Sequence, residues 1–390
     1  MKKNNSNKHK FFYCYSLISI ILFLLFIISC GSASLNSNVP VDVYVGCKTN
    51  SGESAIYWKN GEIVSLSTTY WKNEGKKPLY LTERSGVESI FVSGNDIYAG
   101  GYYTKIDLSI ARQGYSMDDY DVKVACYWKN GKLVSLNNSK YDSGVNAIFV
   151  SGNDVYTGGW NSNRKGVESG GYWKNGEWVG INNSKYGSGV NTIFVSDNDV
   201  YIGGWISNIK DVTFGCYWKN GKWVDISNSK YDSKVNALFL SENDVHVCGY
   251  SKNNLGSYTA FYWKNGKIIS LLPSDSKYNS NGTSIFVSGN DVYVGGYSYN
   301  KPSSLLLSNS IAGYWKNGEW IALTPMNNKE RSEVSSIFVY GKDVYAGGFC
   351  RVNGENVPGY WKNGKWVRLD AKGYYPTVTS IVVVPRPTGQ

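Results

Sequence analysis

The sequence predicts an all-β protein built from one unit repeated seven times, and two recurring phrases are the basis of this prediction. The pentapeptide Tyr-Trp-Lys-Asn-Gly occurs seven times. Its copies begin at Tyr57, Tyr127, Tyr172, Tyr217, Tyr262, Tyr314 and Tyr360. A longer phrase recurs between them and is nearly complete at 148–160 and 285–297. Repeats of roughly 45 residues are typical of propellers, solenoids and arrays.

The third repeat divides into four short segments with strand character, which we name A to D in order. Strand A is the apolar, β-branched run 145–150, and strand B is 155–160, which contains a Gly-Gly pair. Strands C and D, at 171–174 and 177–181, flank an Asn-Gly pair, the strongest short hairpin signal. Four antiparallel strands in a unit of about 40–50 residues are typical of a propeller blade. The frequent Asn-Gly and Gly-Gly pairs, together with the lack of a 3.6-residue apolar period, exclude a helical solenoid.

The count of strands predicts a closed ring of seven blades. Seven B strands begin at aspartates, namely Asp42, Asp96, Asp154, Asp199, Asp244, Asp291 and Asp343. The first repeat has no A strand of its own, whereas the last A strand, 379–384, has no B, C or D strand after it. Pairing of 379–384 with the N-terminal strand 42–46 would complete the first blade and remove the free sheet edges. We therefore expect a seven-bladed β-propeller of four-stranded antiparallel blades.

One segment does not fit this count. An eighth, imperfect copy of the pentapeptide begins at Tyr70, and the irregular segment continues to Leu81. Two interpretations stay open. The segment is either an extra hairpin, inserted between the first D strand and the second A strand, or the remnant of an eighth blade.

The glycine pair that ends strand B, followed by a tyrosine and then a tryptophan, resembles the kelch repeat. Gly158-Gly159, Tyr172 and Trp178 show this pattern, and the next repeat shows it again. The resemblance spans about residues 41–385. It departs from kelch in a shorter Tyr-to-Trp spacing and in three D strands that have Ile or Leu in place of Trp. The phrases are also similar to a repeat of bacterial secreted and surface proteins. Kelch propellers serve mostly as binding platforms, so the resemblance implies the blade fold more than an activity.

The N-terminal segment is typical of an export signal. Four lysines precede the apolar run 17–28, and the following Ser29-Cys30-Gly31 resembles the end of a bacterial lipobox. This resemblance implies a signal peptide, a lipidated Cys30 and an exported protein that is anchored to a bacterial membrane, with the outer membrane or cell surface favoured. An uncleaved anchor is the alternative, because the apolar stretch approaches the length that spans a bilayer. The expected division is therefore 1–29 signal peptide, 30–40 lipidated cysteine and flexible tether, 41–385 propeller, and 386–390 tail.

The positive charge of the chain is spread over the repeats. The formal net charge is +10, and removal of the four signal lysines leaves about +6. Each pentapeptide adds one lysine at the C–D hairpin, so a closed ring would bring seven lysines to one face. These lysines either attract an anionic lipid or polymer, or serve solubility and edge protection, and we favour the second interpretation. The absence of a basic tract and the export signal argue against nucleic acid as a partner.

The mature sequence shows no pattern typical of catalysis or metal binding. Five cysteines remain after Cys14 and Cys30, without a CxxC spacing, and they are interpreted as small buried residues, with one disulfide left open. The one mature histidine, His246, replaces a strand-B tyrosine of the sister repeats, which favours a structural role. The seven aspartates could hold a cation at the channel mouth, but their presence in every blade favours turn residues that satisfy backbone groups. We therefore predict no metal and no cofactor.

Aromatic residues at the end of strand B are the best candidates for ligand binding. Six follow the glycine pair or its equivalent, namely Tyr102, Trp160, Trp205, Tyr250, Tyr297 and Phe349. They lie where strand B leaves for the B–C loop, on the face that also holds the D–A loops and the variation in loop length. The variable face of a constant scaffold is usually the one that binds. Rings at this place either stack on a sugar or peptide, or pack between blades against the glycines.

Two functions follow from these observations. The first is a non-enzymatic, monomeric binding module or scaffold for a protein or glycan partner, held at the surface by its lipid and binding on the B–C/D–A loop face. The alternative is a carbohydrate-active enzyme, a lyase or hydrolase, that uses loop residues such as Asp118, Asp119 and Tyr120. Turnover of a polysaccharide would distinguish the two.

Overall fold

The structure of the protein is a computed structural model. It describes residues 39–49, 55–66, 84–106, 121–136, 141–181, 186–226, 230–273, 278–300, 310–323, 330–371 and 376–386. These residues form strands and turns, and none of them belongs to a helix that could cross a membrane. Cys30, the irregular segment from Tyr70 to Leu81 and the loop residues 118–120 lie outside the described residues.

Twenty-eight strands follow one another along the described chain. In order they are β1 (Val41–Thr49), β2 (Ile56–Lys59), β3 (Glu62–Ser65), β4 (Ser85–Ser93), β5 (Asp96–Ile106), β6 (Asp121–Lys129), β7 (Lys132–Ser135), β8 (Ser143–Ser151), β9 (Asp154–Ser162), β10 (Glu168–Lys174), β11 (Glu177–Gly180), β12 (Ser188–Ser196), β13 (Asp199–Ser207), β14 (Thr213–Lys219), β15 (Lys222–Asp225), β16 (Ser233–Ser241), β17 (Asp244–Lys252), β18 (Tyr258–Lys264), β19 (Lys267–Leu271), β20 (Tyr278–Ser288), β21 (Asp291–Asn300), β22 (Ser310–Lys316), β23 (Glu319–Ala322), β24 (Ser332–Tyr340), β25 (Asp343–Val352), β26 (Glu355–Lys362), β27 (Lys365–Arg368) and β28 (Pro376–Pro385).

These strands form seven four-stranded antiparallel blades, which confirms the predicted β-propeller. Blade one takes its A strand from β28 and its other strands from β1, β2 and β3, and each later blade uses four consecutive strands. A single residue pair, Lys48 with Gly86, joins blades one and two into one eight-stranded sheet. Each A strand contacts the A strands of both flanking blades, so the seven A strands line the axis of a closed ring.

The ring closes as the two partial repeats predicted. Strand β28 pairs with β1 in the register Asp42 to Val384, Tyr44 to Val382 and Gly46 to Ser380. Val378, Ile381 and Val383 of β28 are buried in the core cluster that includes the first blade. Beyond the strand, the Arg386 side chain donates to the Asp42 carboxylate at 2.9 Å, and its backbone N–H donates to the Pro40 carbonyl at 2.7 Å. The C-terminal strand is therefore held by a ladder, a hydrophobic face and an ion pair.

Every A strand has a bulge at the same position, and the bulged residues form a polar ring around the axis. They are Thr379, Glu88, Asn146, Asn191, Asn236, Thr283 and Ser335. Five of these side chains donate to a backbone carbonyl of the next A strand, for example Asn146 Nδ2 to Val190 O at 2.8 Å. A bulge changes the direction of one side chain relative to the pleat. In these strands the redirected side chain donates a hydrogen bond to the neighbouring blade. The remaining two are Ser335 and Glu88, and Glu88 is the one acid of the ring.

Serines connect the blades farther out. The hydroxyl of the first serine in six A strands accepts the N–H of a C-strand residue in the preceding blade at 2.6–3.0 Å, as Ser143 does from Ala125. The seventh junction, where the ring closes, has Pro358 and Pro376 at these two positions. Donor and acceptor are thus lost together, which leaves no buried group unsatisfied.

The glycine pairs and the phenylalanines explain how the A and B strands pack. A Cβ at the first glycine, as in Gly158, would press on a valine and an isoleucine of the next blade. A Cβ at the second, as in Gly159, would collide with the carbonyl of the A strand beside the bulge. Six phenylalanines of the A strands contact one another in series, with ring centroids 4.7–5.7 Å apart. The closing strand interrupts this belt, because it has Val382 at the equivalent place.

Candidate functional site

The two ends of the ring differ in chemistry. We call the end with the A–B turns and the C–D hairpins the hairpin face, and the end with the B–C and D–A connections the loop face. Each C–D hairpin turns through the Asn-Gly pair of its pentapeptide, and both residues have positive φ, for example 51° at Asn175 and 90° at Gly176. This is the type I′ turn that Asn-Gly favours.

The repeated pentapeptide is explained by contacts on the hairpin face. The turn asparagine donates its Nδ2 to the aspartate that starts strand B at 2.6–2.9 Å in all seven blades. Its Oδ1 accepts the backbone N–H of the residue after that aspartate. The lysine of the pentapeptide forms an ion pair with the same aspartate at 2.6–3.4 Å. In six blades its Nζ also lies 5.0–5.4 Å from the ring centroid of a strand-B tyrosine.

These contacts correct the interpretation of the aspartates. We expected their carboxylates to satisfy backbone groups of the turn, but they bind the asparagine and lysine side chains of the opposite hairpin. The positive φ at the asparagine aims its side chain back toward strand B, so the asparagine satisfies the backbone instead. The Lys219 ammonium and the Asn220 amide hold the pKa of Asp199 below its ordinary value. The seven lysines are thus paired with acids, which supports a structural role over attraction of an anionic partner.

Blade five differs from its sisters at His246, which stands in place of the strand-B tyrosine. Its side chain is 3% exposed, and Nδ1 lies 2.8 Å from the Tyr262 hydroxyl. Burial, with the nearby Lys264 charge, lowers the pKa of His246 to about 4. The histidine is a neutral packing residue, in agreement with its predicted structural role.

The outer D strands show why some blades lack the kelch-type tryptophan. Trp178, Trp320 and Trp366 each lie against a C-strand tryptophan at 4.4–4.5 Å between centroids. In these blades a glycine precedes the Tyr-Trp pair, and a Cβ there would overlap the D-strand ring. Blades one, two and five have Ile, Cys or Phe at that glycine position and a smaller Ile or Leu in strand D. Blade four combines Cys216 with Trp223, and its tryptophan is 50% exposed.

The five described cysteines are buried and free, so no disulfide connects them. Burial raises the pKa of the Cys216 thiol to about 12, and an inert packing role follows. Within the residues that the structure describes, no three His, Cys, Asp or Glu side chains are grouped so that they could hold a metal ion.

Three of the predicted aromatic residues lie over glycines of their own blade. Tyr102, Trp160 and Trp205 are half-buried, and a Cβ on the A-strand glycine opposite each would meet the ring at 2.7–3.1 Å. Lys123 lies 4.9 Å from the Tyr102 ring centroid, and Lys234 lies 4.8 Å from the Trp205 ring centroid. The rings therefore cover A-strand glycines within one blade rather than the Gly-Gly pair between blades, and they keep part of their surface on the loop face.

The other three predicted aromatic residues divide into two kinds. Tyr250 and Tyr297 are half-buried at the same position of blades five and six. Phe349 is 5% exposed, with the Arg331 guanidinium 5.6 Å from its ring centroid. Phe349 is thus more buried than the other five, with a charged side chain over its ring, and its role in binding stays a prediction.

Glu88 is a site residue that the sequence interpretation missed. It is the one carboxylate in the polar ring of bulged residues, and its side chain is 21% exposed. Lys48 Nζ lies 3.4 Å from Glu88 Oε1. Burial of the Glu88 carboxylate raises its pKa, and the positive charge of Lys48 opposes this increase. The repeated phrase aligns Glu88 with Asn146 and Asn191 of the sister A strands, but the bulge that sets this position apart is seen only in the structure.

Comparison with known proteins gives similar solved structures and no family. No protein-family model and no curated protein sequence matches the chain. The structure of YjhT is similar at 13% identity and a TM-score of 0.43, over 75% of this chain and 99% of that chain. The β-propeller domain of the Trilobed protease from Pyrococcus furiosus is similar at 10% identity and a TM-score of 0.41, over 73% and 84%. Trypanosoma rangeli sialidase, solved with sialic acid, is similar at 11% identity and a TM-score of 0.44, over 90% and 59%. These likenesses concern the propeller architecture alone.

Proposed function

We propose that the protein is a non-enzymatic binding module that holds a protein or glycan ligand on its loop face. One observation carries the proposal. Five half-buried aromatic side chains stand at the loop-face ends of the B strands, namely Tyr102, Trp160, Trp205, Tyr250 and Tyr297. The hairpin face, by contrast, repeats one closed network of ion pairs in all seven blades, with departures only at His246 in blade five and Arg386 beside Asp42 in blade one.

The loop face also differs from blade to blade. The B–C loops of blades three, four and five have one backbone shape, fixed by Asn163, Asn208 and Asn253, whose Oδ1 atoms accept two N–H groups of their own loop. Their tips differ in side chain, and Ile209 is 72% exposed and Leu255 is 77% exposed. A constant frame with changing tips presents an asymmetric surface, as binding loops do.

The same proposal includes export and lipid anchoring through Cys30. Residues 39–40 reach the ring at the start of β1, beside Asp42 on the hairpin face. A lipid at Cys30, joined through the expected flexible tether, would attach the ring to the membrane at its hairpin face. Replacing Cys30 with Ala should abolish incorporation of labelled palmitate, and equal incorporation in both proteins would refute the anchor. A kelch-like identity of the repeat also belongs to this proposal, supported by the tryptophan pairs of blades three, six and seven.

A carbohydrate-active enzyme is the second candidate, and Glu88 is the observation that favours it. A carboxylate whose pKa is raised by burial is a candidate acid or base, and Glu88 is such a group near the axis of the ring. Incubation with a panel of polysaccharides tests this candidate. Shorter products that disappear in Glu88→Gln would establish the enzyme and end the binding proposal.

Matched tryptophan variants test the binding face. Trp160→Ala and Trp205→Ala remove rings from the loop face, whereas Trp223→Ala removes an exposed ring from the outer edge. With a partner captured from cell-surface extract or a glycan panel, we expect the first two variants to weaken binding and the control to retain it. Thermal melts should stay near that of the unchanged protein. Equal binding by all three variants, or unfolding of the first two, would contradict the assignment.

A further inference from the structure

Four tyrosines come together on the loop face where blades five and six meet. Tyr250 and Tyr258 are in edge-to-face contact with centroids 5.4 Å apart, and Tyr297 and Tyr299 lie 5.9 Å apart. All four rings are half-buried. Burial raises the pKa of Tyr250 to about 12, and the neighbouring phenols Tyr258 and Tyr297 add to the effect. The tyrosine patch, as we call these four residues, therefore spans both blades.

Two members of the tyrosine patch are not required by the blade. The position of Tyr258 holds Lys123, Glu168, Thr213 and Ser310 in other blades. The position of Tyr299 holds Thr104, Ser162, Ser207, Lys252 and Arg351. Blades fold with any of these side chains, so packing does not select tyrosine. Tyr258 and Tyr299, which depart from the repeat, lie on adjacent blades and face one surface. This placement indicates that they are present to bind a ligand rather than to stabilise the fold.

The charges around the tyrosine patch cancel. Lys252 Nζ lies 3.4 Å from Asp232 Oδ2 and 5.5 Å from the Tyr258 ring centroid. Arg331 forms an ion pair with Glu333 at 2.7 Å, and Glu333 also accepts from the Ser310 hydroxyl at 3.0 Å. Each acid thus has a basic partner beside the patch. Among the residues that the structure describes, these two acid–base pairs balance, and the surface combines aromatic faces, hydroxyl groups and paired charges.

We infer that the tyrosine patch is a binding subsite for a neutral carbohydrate. Sugar rings present C–H faces that stack on aromatic rings and hydroxyls that exchange hydrogen bonds with phenols, carboxylates and guanidinium groups. A cationic ligand would meet Lys252 and Arg331, and an anionic one would meet Asp232 and Glu333, so neither is favoured. The inference rests on the proposed loop-face binding and adds to it both a ligand class and a place, blades five and six.

The test uses the purified full chain on an array of immobilised neutral and acidic oligosaccharides. The main variant, Tyr258→Thr with Tyr299→Ser, installs the residues that blade four has at these positions, so it should fold. A second variant, Tyr299→Phe, retains the ring and removes one hydroxyl. We expect the unchanged protein to bind neutral glycans, the double variant to lose about tenfold or more in affinity, and Tyr299→Phe to lose less. Trp223→Ala serves as the control and should bind normally.

Three results would overturn the inference. The first is that the unchanged protein binds no neutral glycan. The second is that it prefers acidic glycans, and the third is that the double variant binds with unchanged affinity. The broader proposal is judged separately by Trp160→Ala and Trp205→Ala. Suppose that those variants no longer bind a captured protein partner and that no glycan binds the unchanged protein. The proposal of binding on the loop face is then supported, and the carbohydrate subsite is refuted. If a bound glycan is insensitive to every loop-face variant, both fail.

Discussion

Replacing His246 with Tyr should make the ring less sensitive to acid. His246 is buried beside Tyr262, Lys264 and Asp244, and burial holds its pKa at about 4, against 6.5 for an exposed histidine. An unfolded chain therefore takes up a proton near pH 6.5, whereas the folded ring does so only near pH 4. The neutral histidine consequently stabilises the fold fully above about pH 7, and this contribution is lost as the pH falls from 6.5 to about 4. The pKa gap corresponds to about 3 kcal/mol of unfolding free energy.

Tyrosine is the matched replacement because the other six blades have it at this position, with a lysine above each ring. Urea unfolding followed by tryptophan fluorescence at a series of pH values between 4 and 7.5 gives the midpoint for both proteins. All other titrating groups are common to the two, so the difference between the midpoints isolates His246. We expect the difference to grow in favour of the variant as the pH falls. A difference that is the same at pH 7 and pH 4.5 would refute the reasoning.

Three further predictions concern the ring itself. Deleting residues 376–390 removes β28 and exposes the edge of β1, so the melting temperature should fall sharply, and an unchanged melt would contradict closure by this strand. Ser143→Ala leaves the buried N–H of Ala125 without its acceptor and should lower the unfolding free energy by about 1–3 kcal/mol in urea titration, where a change near zero would mean that water replaces the hydroxyl. Cys216→Gly opens the space that the D-strand tryptophans occupy in blades three, six and seven, so Trp223 should turn inward. Its fluorescence should then be harder to quench with acrylamide. An unaltered quenching constant would show that another contact keeps Trp223 exposed.

The architecture was predictable because each blade repeats the same local signals. Asn-Gly pairs set the hairpins, glycine pairs marked the close approach of A and B strands, and two partial repeats indicated how β28 closes the ring. The bulges were not predicted, because a polar residue within a strand is also what the ordinary period-two alternation of an unbulged strand produces. Glu88 consequently remained unnoticed among ordinary strand residues.

Sequence reasoning singled out some residues of the candidate surface and missed others. The rule of an aromatic residue after the glycine pair located Trp160 and Trp205 on the loop face, but it also selected Phe349, which is buried beneath Arg331. Tyr258 and Tyr299 were not identified from the sequence because they belong to no repeated phrase. In a repeat protein the residues that build the blade recur, whereas residues that recognise a ligand are departures from the repeat, and departures are recognised only after the blades are superimposed.

The joining of β28 to β1 brings the two ends of the described chain side by side. Pro40 and Arg386 are hydrogen-bonded neighbours on the hairpin face, opposite the loop face. A tag, a fluorophore or a solid support attached at either end would therefore present the same surface to solution. The same adjacency permits a circularly permuted chain, with a short linker from Arg386 to Pro40 and new ends opened in one of the D–A connections between blades. In such a molecule the strand that now closes the ring would be an internal segment, and the ring could be assembled from seven uninterrupted blades.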